Sequence, residues 1–228
     1  DVRRLHVRGF MTVRPTVMQM LRRLAWGAAL AVAVAAPLRA EEATDCLSED
    51  WNRRIAGCTS IIENPTTKPP ERAQAYSLRA LSLSLKGQYE DAVRDYDEAI
   101  AIIPNFAVAL NNRAWAYFKW GRGPQGLGDV EKSLQLNAFS EHTWDTRAHI
   151  RQTMGNFTGA FADYERAANL GGERMVKLYQ CGLASQRLYQ GRMDGRYTEE
   201  VRAALRTCAH SKTCDPLPAD EECREPTS

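Results

Sequence analysis

Residues 73–106 read AQAYSLRALSLSLKGQYEDAVRDYDEAIAIIPNF, and the same spacing of small, charged and glycine positions returns twice more, each time 34 residues on. Arg79-Ala80, Arg113-Ala114 and Arg147-Ala148 stand in step. So do Gly87, Gly121 and Gly155, then Ala92, Gly126 and Ala160, then Asp95, Asp129 and Asp163. Within each unit, apolar residues recur at helical spacing up to the glycine, pause, and resume beyond it, which predicts two helices joined by a tight turn. The array spans 71–174, as units 73–106, 107–140 and 141–174. Ala80, Ala114 and Ala148 fall where the helices of a hairpin cross, and a small side chain there lets the axes approach to roughly 8–10 Å. The middle unit departs from the pattern, reading Gly121-Arg122-Gly123-Pro124-Gln125-Gly126-Leu127-Gly128. Each interior glycine costs about 1 kcal/mol against alanine, so its second helix is expected to be short and the array softest there.

These residues resemble the tetratricopeptide repeat (TPR) family in period and in small/aromatic signature. In the first unit the matching positions are Tyr76, Ala80, Gly87, Ala92, Tyr96, Ala99 and Pro104. In the third they are Trp144, Ala148, Gly155, Ala160, Tyr164 and Ala167, with Gly172 in place of the proline. The resemblance implies an all-α fold, a right-handed superhelix of helix-turn-helix repeats, whose concave groove is lined by the first helix of each unit and holds an extended peptide or partner helix. The repeat register then assigns inward positions. They are Gln74, Ser77, Leu81 and Ser84 in the first unit, Asn111, Trp115, Phe118 and Lys119 in the second, and His142, Asp145, His149 and Gln152 in the third. Amides, aromatics and a lysine suit main-chain hydrogen bonding around a hydrophobic anchor. The paired lysines and asparagines of the family's terminal-carboxylate clamp are lacking, so no such specificity is expected.

Outside the array, residues 1–40 read as an N-terminal extension and secretory signal peptide. Arg22-Arg23 precede the apolar run Leu24 to Ala36, too short to span a bilayer, and Ala40 is a small residue suited to cleavage. The expected location is periplasmic, with no stable membrane insertion once the signal is removed. Residues 1–40 hold seven arginines and one acid, leaving 23 basic and 27 acidic residues beyond them. That mildly acidic balance argues against a nucleic-acid partner, whose phosphates call for a basic face.

Cys46, Cys58, Cys181, Cys208, Cys214 and Cys223 cluster at the two ends of the array, and an even number in an exported chain favours disulfides. Residues 41–70 are expected to form a capping helix starting near Ser48, with Ile55, Cys58, Ile61 and Ile62 on one face, followed by a proline-rich link. Cys46 can meet Cys58 if the segment before Ser48 folds back; on one continuous helix the two would lie about 18 Å apart. Cys208, His210, Cys214 and Cys223 could alternatively supply a zinc site, although disulfides are the commoner outcome outside the cytosol. No metal or cofactor is expected.

Residues 175–210 form a two-helix segment that resembles a degenerate peptidoglycan-binding repeat. The matching positions are Val176, Gln180 and Leu183, Gly191, Met193-Asp194-Gly195, Tyr197, and Arg202 to Leu205; Thr198 and Val201 depart from the family. The resemblance implies wall binding through Gln180, Gly191, Asp194, Gly195 and Tyr197, while the residues themselves are equally suited to a turn in a cap. Residues 211–228 read as a cysteine-bearing flexible tail. Because no nucleophile motif or phosphate-cradling loop is present, the chain is expected to be non-enzymatic. The expected function is a periplasmic scaffold that binds a protein or peptide in its groove. The alternative is a cell-wall-associated protein that binds peptidoglycan through 176–205.

Overall fold

The computed structural model describes residues 44–218 and 223, so the signal-peptide expectation for 1–40 lies outside the described residues. A helical turn at 44–46 is followed by α1 (Trp51–Glu63), α2 (Pro69–Leu85), α3 (Tyr89–Ile102), α4 (Ala107–Lys119), a 3₁₀ turn (Gly123–Gly126), α5 (Leu127–Leu136), α6 (Glu141–Thr153), α7 (Phe157–Ser185) and α8 (Glu199–Ala209). The fold is all-α: three helical hairpins, α2–α3, α4–α5 and α6–α7, stacked as a solenoid. At the turns, Gly87, Gly121 and Gly155 adopt φ of 75°, 76° and 81°, a left-handed conformation that only glycine enters without strain.

Ala80, Ala114 and Ala148 are fully buried at the crossings. In the middle hairpin the helices approach closely, since a methyl on Gly126 would lie 2.7 Å from the Ala114 Cα. Gly123 and Pro124 there form a 3₁₀ turn, and α5 is left with 10 residues against 14 in α3. The glycines therefore shorten the helix as expected, and one of them is required by the crossing.

Two of the repeating columns turn out to be partners. Arg79 donates through Nε and Nη2 to both Asp95 oxygens at 2.7 and 2.8 Å. Arg113 does the same with Asp129 at 2.6 and 2.7 Å, and Arg147 with Asp163 at 2.9 and 2.8 Å. Each forked pair ties the first helix of a unit to its second, and the planar guanidinium suits this two-point geometry.

The ends are closed differently. Asp50 caps α1 by accepting from the Arg53 N–H at 2.8 Å, so the helix begins at Trp51; the Asp50 side chain competes for the first-turn donors and prevents an earlier start near Ser48. The fold-back before it brings Cys46 into a disulfide with Cys58, and these pack with Ala75, Ile61, Ile62 and Leu78 to cover the first hairpin. At the other end, Gly172 (φ 57°, ψ −143°) breaks α7 where the third unit ends. The second part of α7 and α8 then pack as a two-helix cap in one cluster containing Tyr164, Met175, Tyr179, Leu183, Val201 and Leu205.

Disulfides join Cys181 to Cys223 and Cys208 to Cys214, so the sulfurs a zinc site would need are already bonded. After the loop that Cys208–Cys214 closes, residues 215–218 turn back onto the cap, with Pro216 buried and Leu217 packed against the cluster.

Candidate functional site

In the first two units the expected groove positions retain surface and unmet polar capacity. Gln74 and Lys119 are exposed, Trp115 and Phe118 half-buried, and Ser77 and Asn111 buried. The Trp115 and Phe118 rings lie 5.0 Å apart, and the Lys119 ammonium sits 5.3 Å from the Trp115 ring centre. Asn111 donates through Nδ2 to Asn112 Oδ1 at 3.2 Å, but its own Oδ1 is buried with no partner. One unit earlier in the same face, Ser84 Oγ is also buried and unpartnered. Each such atom costs about 1–3 kcal/mol relative to a paired one.

The third unit differs. His142 is exposed beside Arg174, whose Nη2 lies 3.2 Å from His142 Nε2. Asp145, His149 and Gln152, however, do not face an open groove as expected, because the cap and tail cover them. His149 Nδ1 lies 2.9 Å from the Asp145 carbonyl oxygen and 3.3 Å from its carboxylate, and Nε2 lies 2.9 Å from Asp215 Oδ1. Burial opposes a charged ring, but the Asp145 and Asp215 carboxylates outweigh it and push the His149 pKa up to about 10. Burial likewise opposes the Asp215 charge, and the facing imidazolium overcomes it, with Lys119 adding a weaker attraction, so the carboxyl sits below its usual range.

Asp145 also accepts from the Tyr179 hydroxyl at 2.6 Å. The Gln152 amide N–H group faces the carbonyls of Cys208 (3.1 Å), Ser211 and Cys214 (2.7 Å), while its oxygen accepts from the Tyr164 hydroxyl at 2.6 Å. The rings continue from unit to unit: His149 lies 5.2 Å from Trp115, 5.0 Å from Phe118 and 5.1 Å from Tyr164. Asp215, Tyr164 and Tyr179 escaped sequence reasoning as site members. One available signal was a histidine in the column that holds Leu81 and Trp115 in the other units.

The wall-binding-like residues are occupied by contacts within their own segment and with the adjoining third unit. Gln180 is fully buried; its oxygen accepts from the Gly195 N–H at 2.8 Å, and its amide faces Asp194, Arg196 O and Tyr189 at 3.3 Å. Asp194 accepts from the Arg196 N–H at 3.1 Å, and Tyr197 reaches Glu165 at 3.3 Å. Gly195 has φ 73°, and a methyl there would lie 2.6 Å from the Glu173 carbonyl oxygen. Gly191 faces the Tyr189 ring closely. The motif thus shapes the turn between the two cap helices.

Residues 73–106 match the tetratricopeptide repeat family model, and the chain contains such a repeat there. It is similar to serine/threonine-protein phosphatase 5 of Mus musculus, 29% identical over 112 residues, covering 47% of this chain and 22% of that protein. Hsp70-Hsp90 organizing protein 3 of Arabidopsis thaliana is 31% identical over 121 residues, covering 52% and 19%. Tetratricopeptide repeat protein 36 of Bos taurus is 31% identical over 105 residues, covering 44% and 56%. The chain thus spans about a fifth of the first two relatives. The crystal structure of MamA superposes with a TM-score of 0.51 at 15% identity, covering 60% of this chain and 77% of that one, which shows a shared helical-repeat fold.

Proposed function

We propose that this chain is a non-enzymatic scaffold of the periplasm, exported through the leader at 1–40, that captures a protein or peptide on the inner face of its repeats. The observation that carries this reading is Asn111, whose buried oxygen lacks a partner beside the half-buried Trp115 and Phe118. A face with unmet polar groups next to aromatic anchors is suited to an extended main chain. Similarity to repeat proteins such as Hsp70-Hsp90 organizing protein 3 supports a protein-interaction role, and three disulfides suit an oxidising compartment. The peptidoglycan reading gains no support from Gln180, Asp194 and Gly195, whose polar groups are used within the turn.

The test is capture of partners by cross-linking in the native envelope. Asn111→Ala and Trp115→Ala should retain the helical circular-dichroism signal and lose most of the captured partner. Undiminished capture by both would mean that this face is not the working surface.

A further inference from the structure

The tail meets the third unit as a ligand meets a receptor. Residues 211–217 run past the first helix of that unit, presenting their carbonyls to Gln152 and the Asp215 carboxylate to His149. Gln186 closes the contact from the cap by donating to the Asp215 carbonyl oxygen. The path is fitted at Gly182, where any side chain would strike the Pro216 carbonyl. Anchorage is partly polar, and the Asp215 side chain remains 43% exposed. In units one and two, the positions equivalent to Gln152 and Asp145 include Ser84 and Asn111, each with a buried oxygen left unmet. The inner face therefore carries buried polar atoms in every unit: those of Asp145 and Gln152 are met with the help of the cap and tail, whereas Ser84 Oγ and Asn111 Oδ1 are unmet.

We propose that the inner face of the third unit is a binding site for an extended, aspartate-bearing peptide segment, and that residues 211–217 occupy it as a tethered internal ligand which a partner's aspartate-bearing segment replaces. This rests on the scaffold reading and specifies its ligand: an aspartate for His149, flanked by main-chain carbonyls for Gln152. Lys119, on the neighbouring unit, adds attraction for the same carboxylate. A segment held by a short linker competes at an effective concentration on the order of millimolar, so the partner gains access only by exceeding that or when the tail is loosened.

The test uses the full chain and a fluorescein-labelled peptide copying residues 211–218, with serine at the Cys214 position. A loosened variant, Cys208→Ser/Cys214→Ser/Asp215→Ala, removes the Cys208–Cys214 closure and the competing carboxylate while leaving His149, Gln152 and the Cys181–Cys223 bond in place. By anisotropy, the peptide should bind this variant at least tenfold tighter than wild type, and an otherwise identical peptide with asparagine for aspartate should lose at least tenfold. Equal binding to wild type and variant, or equal binding of both peptides, would overturn the proposal and place the peptide on another surface.

Should the triple variant unfold, Gly182→Ala serves instead, since alanine suits the helix and the three atoms nearest its methyl all belong to the tail. It should raise amide exchange at Asp215 and Leu217 at least tenfold with no change in α2 to α5. Unchanged exchange there would overturn the inference that this contact holds the tail. Tail exchange that rises in the loosened variant with no peptide binding would make the tail a structural cap, overturning the proposal and leaving the scaffold reading to the Asn111 and Trp115 variants.

Discussion

The second and third hairpins share one register, one forked Arg–Asp pair and one buried alanine at the crossing, yet their inner faces have opposite fates. In the second, Asn111 holds an unpartnered oxygen beside partly open Trp115 and Phe118. In the third, the matching Asp145 accepts from Tyr179 and meets His149, and Gln152 is saturated by three carbonyls and a tyrosine. The repeat signature thus specifies the hairpin and leaves the inward side chains at liberty. What lies over them decides whether a polar residue there supports the structure or receives a ligand.

The crossing that both hairpins share gives the largest effect. Ala114→Trp and Ala148→Trp should each cost about 1–3 kcal/mol or more, because overpacking a crossing forces the helix pair apart and adjacent units share the strain. A thermal melt at wild-type temperature for either variant would show that the crossings are misassigned.

Gln152→Ala sharpens the contrast between the faces. It should destabilise by about 1–3 kcal/mol, since the buried Tyr164 hydroxyl loses its acceptor and the Cys214 carbonyl its donor. Asn111→Ala, which leaves no partner behind through its Oδ1, should stay within about 0.5 kcal/mol in the same urea titration. Equal losses would mean that the two faces are energetically alike.

A smaller effect separates the hairpins by pH. His149 has a folded pKa of about 10, above its unfolded value of 6.5, so its contribution is complete below about pH 6.5 and is lost as pH rises towards 10. The groups facing it are Asp145 on its own helix, Asp215 on the tail, and Tyr164 on α7, with Tyr179 reaching Asp145 from α7. Asp215 is part-exposed and its pairing is screened, so we expect a loss of about 1 kcal/mol between pH 7 and 9. Urea unfolding at several pH values should show this slope in wild type and its absence in His149→Asn. A slope that persists in the variant would place the titration elsewhere.

The sequence by itself determined the hairpins, their period, the glycine turns and the shortened helix of the middle unit. Those features depend on residues within one unit, where backbone sterics and helical spacing act over short separations, and a threefold repetition makes them legible. It also exposed the Arg79 and Asp95 columns, although not that they pair. The tertiary structure alone decided that Asp215 meets His149, 66 residues away, and that the tail lies on the third inner face. It also turned the Gln180 to Gly195 motif into an internal brace. Such contacts have no periodic signal, because each is made once, between segments brought together only when the cap folds back and Cys208–Cys214 closes the loop.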